Sequence, residues 1–394
     1  MKEHRPEVAD VFRQHGQEFL QRWGHTLNWQ QIKALRDIGA CQTWKLGAHV
    51  RQCDSCALQV TAFNSCRNRH CPRCQSTARN RWLERTAEEL LPVAYSHVIF
   101  TLPKQLSHVA LQNPALIYGL LFKAVSETLL TMASDPKRLG ASIGFLAVLH
   151  TWNQQLMHHP HLHCLVPAGG FSPDRRRWIS SHPKYFLNVD ALGAMFRGKF
   201  LAFLRKAYAK GRLRLTGVLK PLAVQAAFDR FTLDLKDLKW VVYAKPPFAG
   251  PAHAIKYLAR YTHRVAIANG RILSFADGCV TFRWRDSAHG NKQKVMTLDA
   301  VEFIRRFLLH VLPCGFVKIR HYGFLANGVR AGGLELCRSL LPPVLPATCR
   351  LTPEQRRDIH SACPACGTGR MRVIGIIAAT QLLALATVCE VNTS

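Results

Sequence analysis

His158-His-Pro-His-Leu-His-Cys-Leu-Val-Pro-Ala-Gly-Gly170 places four histidines within six positions and then turns apolar. Pro167 and the Gly169-Gly170 pair close the run, so it reads as a strand from about His159 to Val166. Side chains two positions apart on a strand project from the same face. His161 and His163 can therefore grip one cation together, while Leu162 faces a core. Two imidazoles leave most coordination positions of such an ion open. His150, ending the preceding predicted strand (142–150), is the favoured third ligand, with Gln154, Gln155 and His159 as competitors. The bland alternative is a surface histidine cluster that holds no metal. One further protein ligand would still leave room for a phosphate oxygen, as metal-assisted phosphoryl transfer requires.

Working outward, His97-Val-Ile-Phe-Thr-Leu102 and Lys239-Trp-Val-Val-Tyr-Ala244 are further β-branched and aromatic runs that read as strands. Residues 271–275 and 279–284 flank Asp277-Gly278 and read as a hairpin. Helical spacing covers two segments in the first 40 residues, then 76–91, 114–133, 189–210 and 252–268. The fold class expected is α+β, a largely antiparallel sheet flanked by helices, with an N-terminal helical and zinc-binding part. Three consecutive domains are expected: 1–92, 93–328, and a C-terminal extension over 329–394. The most apolar stretch, Val373 to Val388, is shorter than a membrane span and reads as a buried helix.

The chain of 394 residues carries 53 Lys plus Arg against 24 Asp plus Glu, a formal charge of +29 spread along its length. Such an excess needs a polyanionic partner, and nucleic acid is the commonest. No basic amphipathic anchor points to a membrane. The charged start MKEHRPEVADVFRQHG lacks an apolar signal region, so a cytoplasmic, reducing compartment is expected. The 14 cysteines then read as metal ligands rather than disulfides.

Cys53-Asp-Ser-Cys56 and Cys71-Pro-Arg-Cys74 are two CxxC knuckles separated by 14 residues. Each puts two thiolates on one side of a tight loop, as tetrahedral Zn²⁺ requires. The simplest assignment is one structural zinc held by Cys53, Cys56, Cys71 and Cys74. Two sites are the alternative, one from Cys41, His49, Cys53 and Cys56 and one from Cys66, His70, Cys71 and Cys74. Buried free cysteines do not explain the paired spacing. Arg67, Arg69 and Arg73, within the block, are expected to contact DNA. Cys363-Pro-Ala-Cys366 is half a site, equally a small knuckle or a plain loop.

The second reactive element is Ala254-Ile-Lys-Tyr257-Leu-Ala-Arg-Tyr261-Thr-His-Arg264. Tyr257 and Tyr261 sit four apart on an expected helix, hence on one face. Two tyrosines at this spacing are often core aromatics, but Lys256, Arg260 and Arg264 beside them suit a phosphate-lined, DNA-contacting face. A phenol is a poor nucleophile at a pKa of about 10. A cation polarising the phosphate, with basic groups nearby, can overcome this. Attack would leave a 5′-phosphotyrosine and a free 3′-hydroxyl.

Together these elements resemble the HUH endonuclease superfamily, and more closely the rolling-circle insertion-sequence transposases of the IS-ninety-one type with paired tyrosines. The residues that carry the resemblance are His161-Leu-His163, Tyr257 with Tyr261, and Asn64-Ser-Cys-Arg-Asn-Arg-His-Cys-Pro-Arg-Cys74. Supporting stretches are His97 to Pro103, Phe303 to Pro313 and Ile319 to Asn327. The resemblance implies a sheet carrying the histidine pair on a central strand, catalytic Tyr257 and Tyr261, and a catalytic Mg²⁺ or Mn²⁺ at His161, His163 and His150. It also implies single-stranded DNA at transposon ends as partner, and cleavage followed by strand transfer. A non-catalytic zinc protein that binds DNA and a plasmid relaxase or replication initiator are the alternatives. The apolar residues 371–394 depart from the polar tail expected of the family.

Overall fold

The computed structural model describes residues 5–184, 186–248, 250, 253–254, 266–286, 289–341 and 362–382. In chain order, α1 (Val8–Trp23) and α2 (Trp29–Ala40) form a helical pair, followed by β1 (Ala48–Cys53), β2 (Gln59–Phe63) and α3 (Pro72–Glu89). Next come β3 (Tyr95–Thr101), α4 (Ser107–Gln112), α5 (Pro114–Ser134), β4 (Gly144–Trp152) and β5 (His158–Pro167). A small ribbon of β6 (Gly169–Phe171) and β7 (Trp178–Ser180) precedes α6 (Val189–Ala209), α7 (Gln225–Asp237) and β8 (Val242–Phe248). The chain continues through β9 (Ile272–Ala276), β10 (Cys279–Asp286), β11 (Lys292–Asp299) and α8 (Ala300–Leu308). Then follow β12 (Ile319–Gly323), α9 (Arg330–Leu340) and β13 (Met371–Ile377). The mixture of helices and antiparallel sheets is the α+β class expected.

The described residues form two compact units, each interleaved in sequence. One draws on Met1–Ala78, Ile267–Val311 and Thr348–Ser394, the other on Arg79–Ala266 and Leu312–Ala347.

The second unit is built on a five-stranded sheet in the order β12-β4-β5-β3-β8, with every neighbouring pair antiparallel. Period-two alternation sorts its side chains. Val98, Phe100, Phe145, Ala147, Leu149, Leu162, Cys164 and Val166 point to one face and meet the apolar sides of α5, α6 and α7. Pro114 starts α5 at a position where its missing N–H costs nothing, and the Asn188 side chain accepts from Ala191 N–H to start α6. By length and composition α5 could cross a membrane, but most of its apolar window is buried inside the protein, against this sheet. The other face carries Tyr95, Leu146, Val148 and Leu165, packed with Ala254 and with Trp82 and Leu83 of α3.

In the first unit, Asn28 and Gln31 cap α2 reciprocally. Phe12 of α1 meets Phe307 of α8 edge to face at 5.1 Å, and Gln31 donates to the Leu308 carbonyl. The β9–β10 hairpin is as expected, with Asp277 and Gly278 both at positive φ. β11 adds a third strand. A second three-stranded sheet runs β13-β1-β2. The expected buried helix over 373–388 is corrected over its first part: Met371–Ile377 is a strand paired with β1, Ala48 opposite Ile377 and Cys53 opposite Met371, while residues 383–388 lie outside the described residues. Val373, Ile374, Ile376 and Ile377 are β-branched and suit a pleated ladder, and the first three are exposed rather than buried.

Core packing in the second unit is testable. Phe196, fully buried between Phe100 and Trp240, should cost about 3–5 kcal/mol when replaced by Ala. Leu273→Ala, at an exposed strand position, should stay within about 0.5 kcal/mol. Urea unfolding of both variants measures the contrast, and similar midpoints would count against this packing.

Candidate functional site

On the face of the five-stranded sheet opposite α5 and α6, β4 and β5 run antiparallel with His150 directly opposite His161 and Val148 opposite His163. The three imidazoles of His150, His161 and His163 each offer a ring nitrogen, and these atoms lie within 4.8 Å of one another. His161 Nε2 and His163 Nε2 are 3.1 Å apart. Two nitrogens bound to one ion at about 2.1 Å would be separated by about 3.0–3.4 Å for octahedral or tetrahedral angles. The histidine trio therefore fits a cation. Of the competitors, Gln154 and Gln155 lie in the turn between β4 and β5, and His159 stands beside His161 with ring centroids 5.3 Å apart, outside the trio.

Burial keeps the rings of His161 and His163 neutral. It pulls His161 down to about 4 and His163 well below the ordinary histidine value. Neutral imidazole is the metal-binding form. The tautomer of His161 follows from its partner: Nδ1 lies 2.7 Å from the His159 carbonyl, which only accepts, so Nδ1 carries the proton and Nε2 the lone pair. His163 is held on its far side by His97, whose Nε2 is 2.9 Å from His163 Nδ1. His97 is buried on β3, and its ring stacks on that of His163. For His163 to present a lone pair at Nε2, its Nδ1–H must donate to His97. His97 is thus a positioning residue that sets which nitrogen of His163 is available. The expected strand at 97–102 contained it, but a lone histidine in an apolar run gives no signal until the diagonal across β3 and β5 is known.

The cysteines group differently from either expected arrangement. Cys41, Cys66, Cys71 and Cys74 form one cluster, and Cys53, Cys56, Cys363 and Cys366 another. The single site from both CxxC pairs is corrected, because the β1–β2 hairpin separates them. Cys53 and Cys56 sit at its tip, while Cys41 and Cys66 flank its open end, where α3 delivers Cys71 and Cys74. A six-residue strand is about 17 Å long, too far for one ion to bridge. His49 and His70 stand outside both clusters; their Nδ1 atoms bond Asn64 Oδ1 at 2.9 Å and Asn68 Oδ1 at 3.1 Å.

In the first cluster the sulfurs of Cys41 and Cys74, Cys66 and Cys74, and Cys71 and Cys41 are 3.7, 3.6 and 3.7 Å apart. Four sulfurs at about 2.3 Å from a tetrahedral Zn²⁺ would be about 3.8 Å apart. All are free thiols. Their mutual hydrogen bonds push Cys66 and Cys71 up and hold Cys74 down, so protons are shared among sulfurs that a cation would otherwise bind together. Arg67 and Arg69, in the loop before α3, and Arg73, in its first turn, are exposed, with Arg73 3.6 Å from Glu7. Tyr257, Tyr261, Lys256, Arg260 and Arg264 lie outside the described residues.

A histidine trio on an antiparallel sheet and a four-cysteine cluster in a separate unit suit a two-part protein, one part of it held by zinc. Two family profiles match it so: one described as "Putative transposase" over residues 144–331, the other as "Transposase zinc-binding domain" over 11–102. The chain belongs to this family of transposases, enzymes that act on DNA. Its relatives include "Putative transposase y4qJ" of Sinorhizobium fredii (strain NBRC 101917 / NGR234), 52% identical over 94% of this chain and 95% of the relative. The transposase for insertion sequence element IS801 of Pseudomonas savastanoi pv. phaseolicola is 27% identical over 87% of this chain and 81% of that protein. No solved structure matches. The profile and the cysteine geometry together support structural zinc in the N-terminal domain.

The role of His97 can be measured. His97→Leu should weaken Mn²⁺ binding about 10–100-fold in calorimetric titration, and His97→Gln, whose amide oxygen still accepts from Nδ1–H, should recover much of it. Equal affinities in all three proteins would remove the tautomer role.

Proposed function

We propose that this chain cleaves single-stranded DNA at transposon ends and transfers the strand by tyrosine attack on a phosphate, in rolling-circle transposition. The observation that carries this reading is the convergence of His150, His161 and His163 on one point of the sheet; three ligands would leave positions open for a phosphate oxygen. These three residues would hold Mg²⁺ or Mn²⁺. When bound, the cation would polarise the scissile phosphate and draw charge off its oxygens.

The chain's own residues supply the rest. The phenolic oxygen of Tyr257 or Tyr261 forms a bond to phosphorus, and the bond from phosphorus to the 3′ oxygen breaks. The phenol loses its proton and the departing oxygen gains one, leaving a 5′-phosphotyrosine and a free 3′-hydroxyl. The reverse step joins a new strand without ATP, because the phosphodiester energy is conserved in the tyrosine ester. Support for placing the tyrosines at this face comes from Ala254, three residues before Tyr257. It is fully buried against Tyr95, Leu146, Val148 and Leu165, on the same sheet face as the histidines. Lys256, Arg260 and Arg264 would line the phosphate path. Arg67, Arg69 and Arg73 would add contacts from the zinc-held part, in keeping with the charge of +29. The cytoplasm, where DNA and reduced thiols coexist, is the compartment this activity requires.

Labelled single-stranded oligonucleotides carrying the element's ends, incubated with the full chain and Mn²⁺, should yield a covalent protein–DNA adduct. Tyr257→Phe/Tyr261→Phe should abolish it, and His161→Ala/His163→Ala should slow it at least about 100-fold. Binding without any adduct across all end sequences would leave a non-catalytic zinc protein instead.

A further inference from the structure

The family zinc profile ends at residue 102 and contains Cys53 and Cys56 but neither Cys363 nor Cys366. We infer that these four cysteines hold a second structural zinc, distinct from that of Cys41, Cys66, Cys71 and Cys74, which clasps the C-terminal hairpin, the turn bridged at Ala362 and Arg370 that leads into β13, onto the N-terminal zinc module. Cys53 and Cys366 sulfurs are 3.7 Å apart, and Cys56 and Cys363 sulfurs 3.5 Å. A disulfide needs about 2.05 Å, whereas the edge of a tetrahedron around zinc is about 3.8 Å.

Both CxxC turns have the form of a metal knuckle, with backbone N–H groups aimed at sulfur. Ser55 and Cys56 N–H donate to Cys53 Sγ at 3.4 Å each, Ala365 N–H to Cys363 Sγ at 3.4 Å, and Gly369 N–H to Cys366 Sγ at 3.3 Å. Such donors stabilise thiolate, the form that binds zinc. Four sulfurs close the coordination shell and leave no position for substrate, which assigns a structural role.

The backbone is built for this approach. A Cβ on Gly369 would lie 2.3 Å from Cys53 Sγ, so only glycine lets the C-terminal hairpin pass the sulfur. At the other end of the same ladder, a Cβ on Gly47 would meet the Ile377 carbonyl at 2.6 Å. Between these points β13 pairs with β1 over its length, and Asp54 ties the join: its carboxylate accepts from Arg370 N–H at 2.7 Å and from Arg372 Nε at 3.2 Å. Ligands some 300 positions apart in sequence thus complete one site, and the zinc module is finished only by residues near the other end of the chain.

Elemental mass spectrometry of the purified full chain should find two zinc ions per molecule, and Cys363→Ser/Cys366→Ser should hold one. Gly369→Ala, which keeps every ligand, should lose one zinc to a chelator at least about 10-fold faster than the wild type. One zinc in the wild type, or two in the double serine variant, overturns the inference. A reading on the unmodified chain guards against misfolded variants. As chelator is raised, Cys53, Cys56, Cys363 and Cys366 should become open to alkylation together, at a midpoint of their own. Alkylation of Cys363 and Cys366 while Cys53 and Cys56 stay protected would overturn it as well.

Discussion

The two-residue period of β5 is the constraint on which the sheet and its chemistry rest. Leu162, Cys164 and Val166 are committed to the core beneath α5 and α6, and that burial drives His161, His163 and Leu165 to the opposite face. A slip by one residue would sink two imidazoles into hydrocarbon and expose three apolar side chains. The register with β4, which sets His150 opposite His161, is fixed by the same burial, because Ala147 and Leu149 point to the same core. Positioning of the trio is thus a by-product of core packing, and the site inherits the rigidity of the sheet. His97 extends this logic to β3: it stands opposite Leu165 and reaches diagonally to His163.

The other unit obtains its order differently. The β13-β1-β2 sheet is short, and strand β2 alternates between exposed and half-buried residues without a fully buried one. Few apolar side chains are on hand to hold such a sheet. A cysteine cluster stands at each end of the β1–β2 hairpin instead, each with donors drawn from a neighbouring segment. Metal coordination supplies folding free energy where a core is too small to do so.

How much of this was legible in the sequence depends on whether the deciding information is local. The alternation of His161, Leu162 and His163 is local, and so is the Asp277-Gly278 turn; both read correctly. His150 was reachable because it lies on the adjacent strand, opposite His161. His97 was not, since only the register of β3 against β5 turns a lone histidine into a partner of His163. The cysteine grouping failed for a related reason. CxxC spacing identifies knuckles, but which knuckles share an ion depends on strand length, and β1 and β2 are too polar, with His49, Arg51, Gln52 and Thr61, to stand out from a loop. The strand over residues 373–377 is not legible as such because an apolar run without clear period suits helix or strand equally, and the partner that decides it, β1, lies more than 300 residues away.

The donor chemistry bears on the proposed reaction. Among the described residues, the histidine group includes no carboxylate. A divalent cation held by three neutral imidazoles keeps its whole charge, unlike one in a carboxylate cage, and so demands an anion in its open positions. A DNA phosphate is such an anion, and it would arrive in a chain already carrying an excess of 29 positive charges. Imidazole donors also weigh against Mg²⁺, which prefers oxygen ligands and gives up water reluctantly. Burial of His161 and His163 adds to this, since no proton has to be displaced at neutral pH before the lone pairs can bind. On the proposed reading, the site would therefore be strongest as an electrostatic partner when loaded and when phosphate is present, and metal retention would be coupled to substrate binding.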